Sequence, residues 1–274
     1  MSKIQSALGK IRDSRLGADG GANLGRRKAD EVDTRDPMAD TWVGIPQVNL
    51  DVMELARHRI IVGDSVHEVA EMSYKMLRTR MIRRMRDNNW SSIVVTSADA
   101  GAGKSVTAIN LAISAAREPN QTVYLIDLDL RRSSLHKYLG VQPPAGDMTA
   151  YLEGRCSLQD TLVDAGIPRL YFAFNTVPQQ HSAELLSSAR MREFVEELRH
   201  KDPNGIIIYD APPLLIADDV LAFLPNFDAV LLVVAEGQTA REDLAKCIDV
   251  LSDVETLGIV LNKSRSERQK SSYY

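Results

Sequence analysis

The chain has 274 residues, 44% of them hydrophobic, enough for one large α/β domain whose core needs no disulfide or metal staple. Its 33 basic and 37 acidic residues leave a net charge of -4, which excludes a globally basic nucleic-acid binder and confines any electrostatic partner site to a local patch. No apolar run approaches the roughly 18 to 20 residues that cross a bilayer, and the N-terminus MSKIQSALGKIRDSRLG holds no continuous apolar signal region, so a cytoplasmic protein is expected.

Residues 1–60 read as a flexible extension: Gly-rich, charged and without a sustained period. Within it Ile4, Leu8 and Ile11 share one face of a short amphipathic helix, readable as a fraying helix or as a docking helix. A longer helical pattern over 65–87 sets Val69, Met72, Met76, Leu77 and Met81 at helical spacing. Its other face carries Lys75, Arg78, Arg80, Arg83, Arg84 and Arg86, either a solvated face or a surface for a neighbouring subunit or an acidic partner.

From residue 92 onward short β-branched runs alternate with helical stretches: SIVVTS, TVYLIDLD, RLYFAF, GIIIYD, AVLLVVA and LGIVLNK. Runs this continuously apolar are expected of strands covered on both faces, so the fold class is α/β with a doubly wound, mostly parallel sheet. The domain is expected over 61–265, followed by a flexible tail over 266–274. Near its end, Leu244, Cys247, Ile248 and Leu251 share one helix face, and Thr239 with Glu242 reads as a capping box. Cys156 and Cys247 lack metal-ligand spacing and read as reduced, buried thiols.

The strongest chemical signal is IVVTSADAGAGKSVTAINLA, a strand, a loop and a helix. Gly101 and Gly103 permit a tight loop whose backbone N–H groups face an anion; Lys104 brings a charge to the β/γ-phosphates, and the Ser105 hydroxyl can ligate Mg²⁺. Ala98 replaces the first glycine of the G-x-x-x-x-G-K-[ST] pattern, which a negative φ tolerates. The next strand ends in LIDLDLRRSS, with Asp127 and Asp129 on one face of an extended chain, suited to metal and proton handling. Arg131 and Arg132 follow, as site cations or plain surface charge. IIIYDAPP places Asp210 at another strand end, where a carboxylate supports Mg²⁺ directly or through water.

TSADAGAGKS, LIDLDLRR, SAELLSS, IIIYDAPPLLIADD, VLLVVAEGQTAREDL and GIVLNK together resemble the bacterial tyrosine kinases of exopolysaccharide and capsule synthesis, across roughly residues 66–264. That family carries a Walker A loop, a D-x-D-x-R second strand and a strand ending D-x-P-P, and is related to the dimer-forming P-loop ATPases of chromosome partition and division-site placement. The latter have a second lysine early in the loop, where this chain has Asp99. The resemblance implies ATP and Mg²⁺ as cofactors, with nucleotide contacts from Asp99, Ala100, Gly101, Ala102, Gly103, Lys104, Ser105, Val106 and Asn262. It implies Ser105, Asp129 and Asp210 around Mg²⁺, with Lys104, Asp127, Asp129 and Arg131 catalytic. Asp127 would orient or deprotonate the phenol, although the roles of Asp127 and Asp129 could be exchanged.

Three departures accompany it: the family's loop is commonly P-G-E-G-K, whereas this chain has Ala100 and Ala102 at the Pro and Glu positions. The family's oligomer-forming E-x-x-R-x-x-R helix aligns with Met72, Lys75 and Arg78, so its acidic member is missing unless Glu71 substitutes. The tail holds only Tyr273 and Tyr274 as acceptors, phosphorylated in trans within a homo-oligomer. The implied activator is a membrane-embedded polysaccharide co-polymerase or chain-length regulator, which would hold the kinase peripherally at the inner membrane; no nucleic-acid partner is implied. A partition-type regulatory ATPase switch and a nucleotide-binding scaffold with little kinase activity are the competing readings.

Overall fold

The computed structural model describes residues 41–62, 68–143 and 146–264. Seven strands form one sheet: β1 (Ser92–Ser97), β2 (Val123–Asp127), β3 (Leu162–Asp164), β4 (Leu170–Ala173), β5 (Ile206–Asp210), β6 (Ala229–Ala235) and β7 (Thr256–Asn262). Their order is β3-β4-β2-β5-β1-β6-β7, and every pair is parallel except β3 with β4. The β1, β2, β5 and β6 runs are buried residue by residue, as expected of strands roofed on both faces. The three-residue antiparallel edge strand β3 was not expected; LVD is too short for a periodic signal.

The two sheet faces carry separate apolar layers. One is built on α3 (Lys104–Ala116), buried at every position but Val106, with α2 (Glu68–Asn88) packed outside it. The other gathers around α8 (Ala189–Lys201), whose Met191, Phe194, Val195 and Leu198 recur at helical spacing, and α10 (Arg241–Val250).

Several expectations are corrected. On α2 the buried apolar residues are Met81, Ile82 and Met85, whereas Val69, Met72 and Met76 stand on the surface. Helical spacing alone cannot say which of two apolar stripes faces the core. Glu71 turns inward to Lys75 at 2.7 Å and Arg117 at 3.3 Å, and Arg78 bridges to Glu118, so part of the basic face is bonded rather than solvated. The helix α10 starts from Ala240 without a side-chain cap, because Thr239 Oγ1 accepts instead from the Ala235 N–H. Cys247 and Leu251 are buried while Ile248 is exposed. Cys156 is half-buried; Cys247 is buried, which pushes its thiol up to about 11.

Residues before the expected boundary at 60 belong to this packing. Trp42 is buried and donates to the Tyr124 hydroxyl at 2.9 Å, which donates in turn to Asp202 at 3.0 Å. Leu55, in α1 (Val52–Arg57), is buried, and the Ile61 N–H donates to Asn110 Oδ1 at 2.7 Å. The amphipathic segment at Ile4, Leu8 and Ile11 lies outside the described residues, as does the tail over 266–274. Among the described residues no helix is long and apolar enough to cross a membrane.

Candidate nucleotide and phosphotransfer site

The parallel sheet places the ends of β1, β2 and β5 side by side, with Asp127 in register with Asp210 and Val95 with Asp210. The loop leaving β1 turns into α3 through Gly101 (φ 81°) and Gly103 (φ 93°), conformations that L side chains rarely adopt. Ala98 has no positive φ, which is why alanine serves there. Gly103 has a second constraint: a Cβ there would lie 2.2 Å from Asn262 Nδ2. Gly103 caps α3 without a side-chain hydrogen bond, and no acidic residue occupies the first turn. The free N–H groups at this helix start therefore remain available to an anion.

Lys104 binds this site together. Its Nζ donates to Asp129 Oδ2 at 2.9 Å and lies 3.5 Å from Asp210 Oδ1 and 3.4 Å from Ser105 Oγ. Asp127 accepts from the N–H groups of Asp129 and Leu135, and Asp129 Oδ1 from the Arg132 N–H at 3.0 Å. Neither Asp210 oxygen accepts an oriented hydrogen bond, and the Asp127 and Asp210 side chains are fully buried. Three buried carboxylates thus surround one ammonium. Burial raises Asp127 most, with Asp210 adding to it and Lys104 only partly offsetting. Asp210 is raised by burial against the pull of Lys104 and the nearby Ser105 hydroxyl. Burial alone would lower Lys104, but Asp210 and Asp129 outweigh it and hold its pKa above the ordinary lysine value. Proximity of opposite charge wins over desolvation for the lysine and loses for the two carboxylates.

A cleft of about 420 Å³ opens onto this cluster. Gly101, Gly103, Lys104, Ser105 and Asp129 line one wall; Pro212, Pro213, Ile216 and Ala217 line another. The second wall hangs from β1: Thr96 Oγ1 donates to the Pro212 carbonyl at 2.7 Å and the Leu214 N–H to the Ser97 carbonyl at 2.8 Å.

A profile of the CobQ/CobB/MinD/ParA nucleotide binding domain matches residues 93–274. The chain is 30% identical over 204 residues to the tyrosine-protein kinase YwqD of Bacillus subtilis, covering 73% of this chain and 84% of that protein. Over 196 residues it is 32% identical to the tyrosine-protein kinase CpsD of Streptococcus pneumoniae, covering 71% and 84% respectively. The kinase domain of Escherichia coli tyrosine kinase ETK superposes with a TM-score of 0.66 at 25% identity, over 75% of this chain and 80% of that one. The chain belongs to the bacterial tyrosine-protein kinase family.

Within this family member the expected residues divide into two groups. Gly101, Gly103, Lys104, Ser105, Asp127, Asp129 and Asp210 converge as described, with Ala100 on the cleft rim and Ala102 buried beneath the loop. Val106 packs half-buried against the core, and Asp99 is half-buried with its carbonyl accepting from Ser97 Oγ at 2.7 Å. Asn262 lies against the loop, donating to the Ala102 carbonyl at 2.9 Å. Arg131 is placed differently: it lines the cleft, but its partners are Ser182, Asp218 and Asp219 rather than the Lys104 cluster. Tyr273 and Tyr274 lie outside the described residues.

Sequence reasoning missed three contributors. Lys263 Nζ donates to the Gly101 carbonyl at 2.6 Å and to Gln238 Oε1 at 2.8 Å, clamping the loop from β7. Ser134 Oγ stands 3.4 Å from Ser105 Oγ, and Tyr138 lines the cleft while its ring meets His58 edge-on at 5.3 Å. Lys263 sits beside Asn262, and Ser134 closes LIDLDLRRSS, both in motifs already read, so a signal was available; Tyr138 carries none.

Proposed function

We propose that this chain is a Mg-ATP-dependent protein-tyrosine kinase that phosphorylates its own Tyr273 and Tyr274 in trans and thereby regulates exopolysaccharide or capsule synthesis. The observation that carries this reading is Lys104 held between Asp129 and Asp210 beside the fully buried Asp127, on a loop that has Asp99 where partition-type ATPases have a second lysine.

The donor set fits Mg²⁺ as a nucleotide-borne ion. No group of three His, Cys, Asp or Glu side chains forms a cage among the described residues. Ser105 Oγ and the Asp210 oxygens, with Asp129, are oxygen ligands of the kind that complete a shell of phosphates and waters. The bound ion supplies neutralisation of charge on the β/γ-phosphates. With ATP bound, Lys104 would turn its charge from Asp129 and Asp210 toward the phosphates, and those carboxylates would then be the residues that hold the ion. The phenol oxygen then forms a bond to the γ-phosphorus as the bond to the β-phosphate oxygen breaks; ADP leaves, and the phenol proton goes to an aspartate and on to water. A carboxylate raised as Asp127 is stands closer to a phenol of pKa about 10 than an ordinary one, though positioning and charge neutralisation still supply most of the rate. Asp129 lines the cleft, whereas Asp127 is fully buried behind it.

The surface stripe of Val69, Met72 and Met76 beside Arg80 and Arg83 supports a contact with a second subunit or a membrane-embedded co-polymerase, which would hold the kinase at the membrane. To test the reading, full-length Lys104→Met protein is mixed with wild type in Mg-ATP and phosphotyrosine is mapped by mass spectrometry. Label on Tyr273 or Tyr274 of the Lys104→Met chain is expected. ATP turnover with both chains free of phosphotyrosine would favour the regulatory ATPase switch.

A further inference from the structure

Arg131 leaves β2 just beyond Asp129 but serves a different set of groups. Nε donates to Ser182 Oγ at 2.8 Å and lies 3.2 Å from Asp219 Oδ2, while Nη2 donates to Asp218 Oδ1 at 3.3 Å. Ser182 opens α7 (Ser182–Leu186) and Asp219 opens α9 (Asp219–Phe223), and both side chains are buried. Neither Asp219 oxygen accepts an oriented hydrogen bond, and Arg131 is the only cation paired with it among the described residues. A buried carboxylate with one charge partner and no hydrogen bond is a costly arrangement, so losing that partner should be felt.

The segment from Ala211 to Asp218 explains what the arrangement does. Its first half is fastened to β1 through Ala211, Pro212 and Leu214. Among the described residues its second half holds only a Leu215-to-Ala98 backbone bond at 3.3 Å and turn bonds from Ile216 and Ala217 back to Pro213. Arg131 grips the far end, at Asp218 and Asp219. Between the two anchors lies the apolar cleft wall of Pro213, Ile216 and Ala217, with Ile216 61% exposed at the mouth. An exposed isoleucine beside a phosphate-binding wall suits the flat apolar face of an aromatic ring.

We propose that Arg131 is a positioning residue for the acceptor: through Ser182, Asp218 and Asp219 it sets the Pro213–Ala217 wall, and that wall with Ile216 receives the ring of the tyrosine being phosphorylated. This rests on the kinase reading above. Arg131 reaches the chemistry through the wall and does not ligate phosphate.

The test uses the full chain carrying Tyr273→Phe and Tyr274→Phe, with a peptide of residues 265–274 as acceptor. Arg131→Gln, Arg131→Lys and Ile216→Ser are compared for kcat and for the KM of peptide and of ATP. Arg131→Gln is expected to raise the peptide KM about tenfold while the ATP KM stays within about twofold. Arg131→Lys, which keeps a charge for Asp219, falls between, and Ile216→Ser raises the peptide KM alone. Because Arg131→Gln strands a buried carboxylate, Arg131→Gln with Asp219→Asn provides a folded background in which the peptide KM must remain raised. Its return to the parent value would reduce Arg131 to a stability role and overturn the proposal. So would a tenfold rise in ATP KM with peptide KM unmoved, which would put the guanidinium on the phosphates. A parent that labels no tyrosine sinks the kinase reading and this proposal with it; a parent that labels the peptide, with variants indistinguishable from it, sinks this proposal only.

Discussion

The two walls of the cleft are built on opposite principles. The phosphate wall concentrates Lys104, Asp127, Asp129 and Asp210 in a buried cluster, where each charge depends on its neighbours. The facing wall of Pro213, Ile216 and Ala217 holds no charge of its own and is aimed by an ion pair at its far end. Perturbing the first should change charge balance, stability and chemistry together; perturbing the apolar residues of the second should change where an acceptor sits. Charge density thus marks the wall that reacts, and exposed apolar surface the wall that selects.

The largest effect is expected from Lys104→Met, which removes the one ammonium from three carboxylates. Phosphotyrosine formation should fall by about a hundredfold to a thousandfold, as for loss of a preorganised transition-state contact. Stability should fall by roughly 3 kcal/mol, as when one partner of a buried charge cluster is deleted, read by denaturant titration at neutral pH. An unchanged midpoint would mean the cluster is not held as described.

Asp210→Asn should separate the two properties. Transfer to tyrosine is expected to fall by about a hundredfold, while the ligand-free protein gains on the order of 1 kcal/mol, because a carboxylate with a raised pKa destabilises the fold when ionised. The melting temperature then rises by about 2 to 4 °C, and a fall instead would contradict the account of burial. Gly103→Ala comes next: its Cβ meets Asn262 and its φ is 93°, so a loss of about 1 to 3 kcal/mol is expected with weakened ATP binding in calorimetry.

The pH dependence is smaller and has a definite sign. Asp127 and Asp210 have raised pKa values, so above the ordinary carboxylate range the folded state keeps protons that the unfolded state has released. Their contribution to stability therefore falls as pH rises from the ordinary carboxylate value through the raised ones. Lys104 adds no slope there, because its raised pKa keeps its contribution complete below the ordinary lysine value and loses it only in strong alkali. Melting temperatures of the ligand-free protein across mildly acid to neutral pH should show that slope, and Asp210→Asn should flatten it. A slope of the opposite sign would mean other groups dominate.

The contrast between the walls also marks what the sequence reveals. The phosphate wall is written in contiguous motifs, because a loop between a strand and a helix and a carboxylate at a strand end are both local features. Arg131 lies two positions after Asp129, but its partner Asp218 lies 87 positions away, so only the packing of α7 and α9 brings them together. Lys263 lies within a motif that was read, but its partners, the Gly101 carbonyl and Gln238, are distant in sequence, so its position beside Asn262 does not reveal its role. The exposed stripe of α2 and the buried Trp42 show the same limit: periodicity names a face without naming the surface that covers it.

The kinase reading is tested most directly by following one reaction of the wild-type chain in Mg-ATP and measuring phosphotyrosine formed against inorganic phosphate released. Phosphotyrosine accumulating at least as fast as free phosphate, and vanishing in Lys104→Met, is the expected result. Phosphate release that continues while phosphotyrosine stays absent would contradict it.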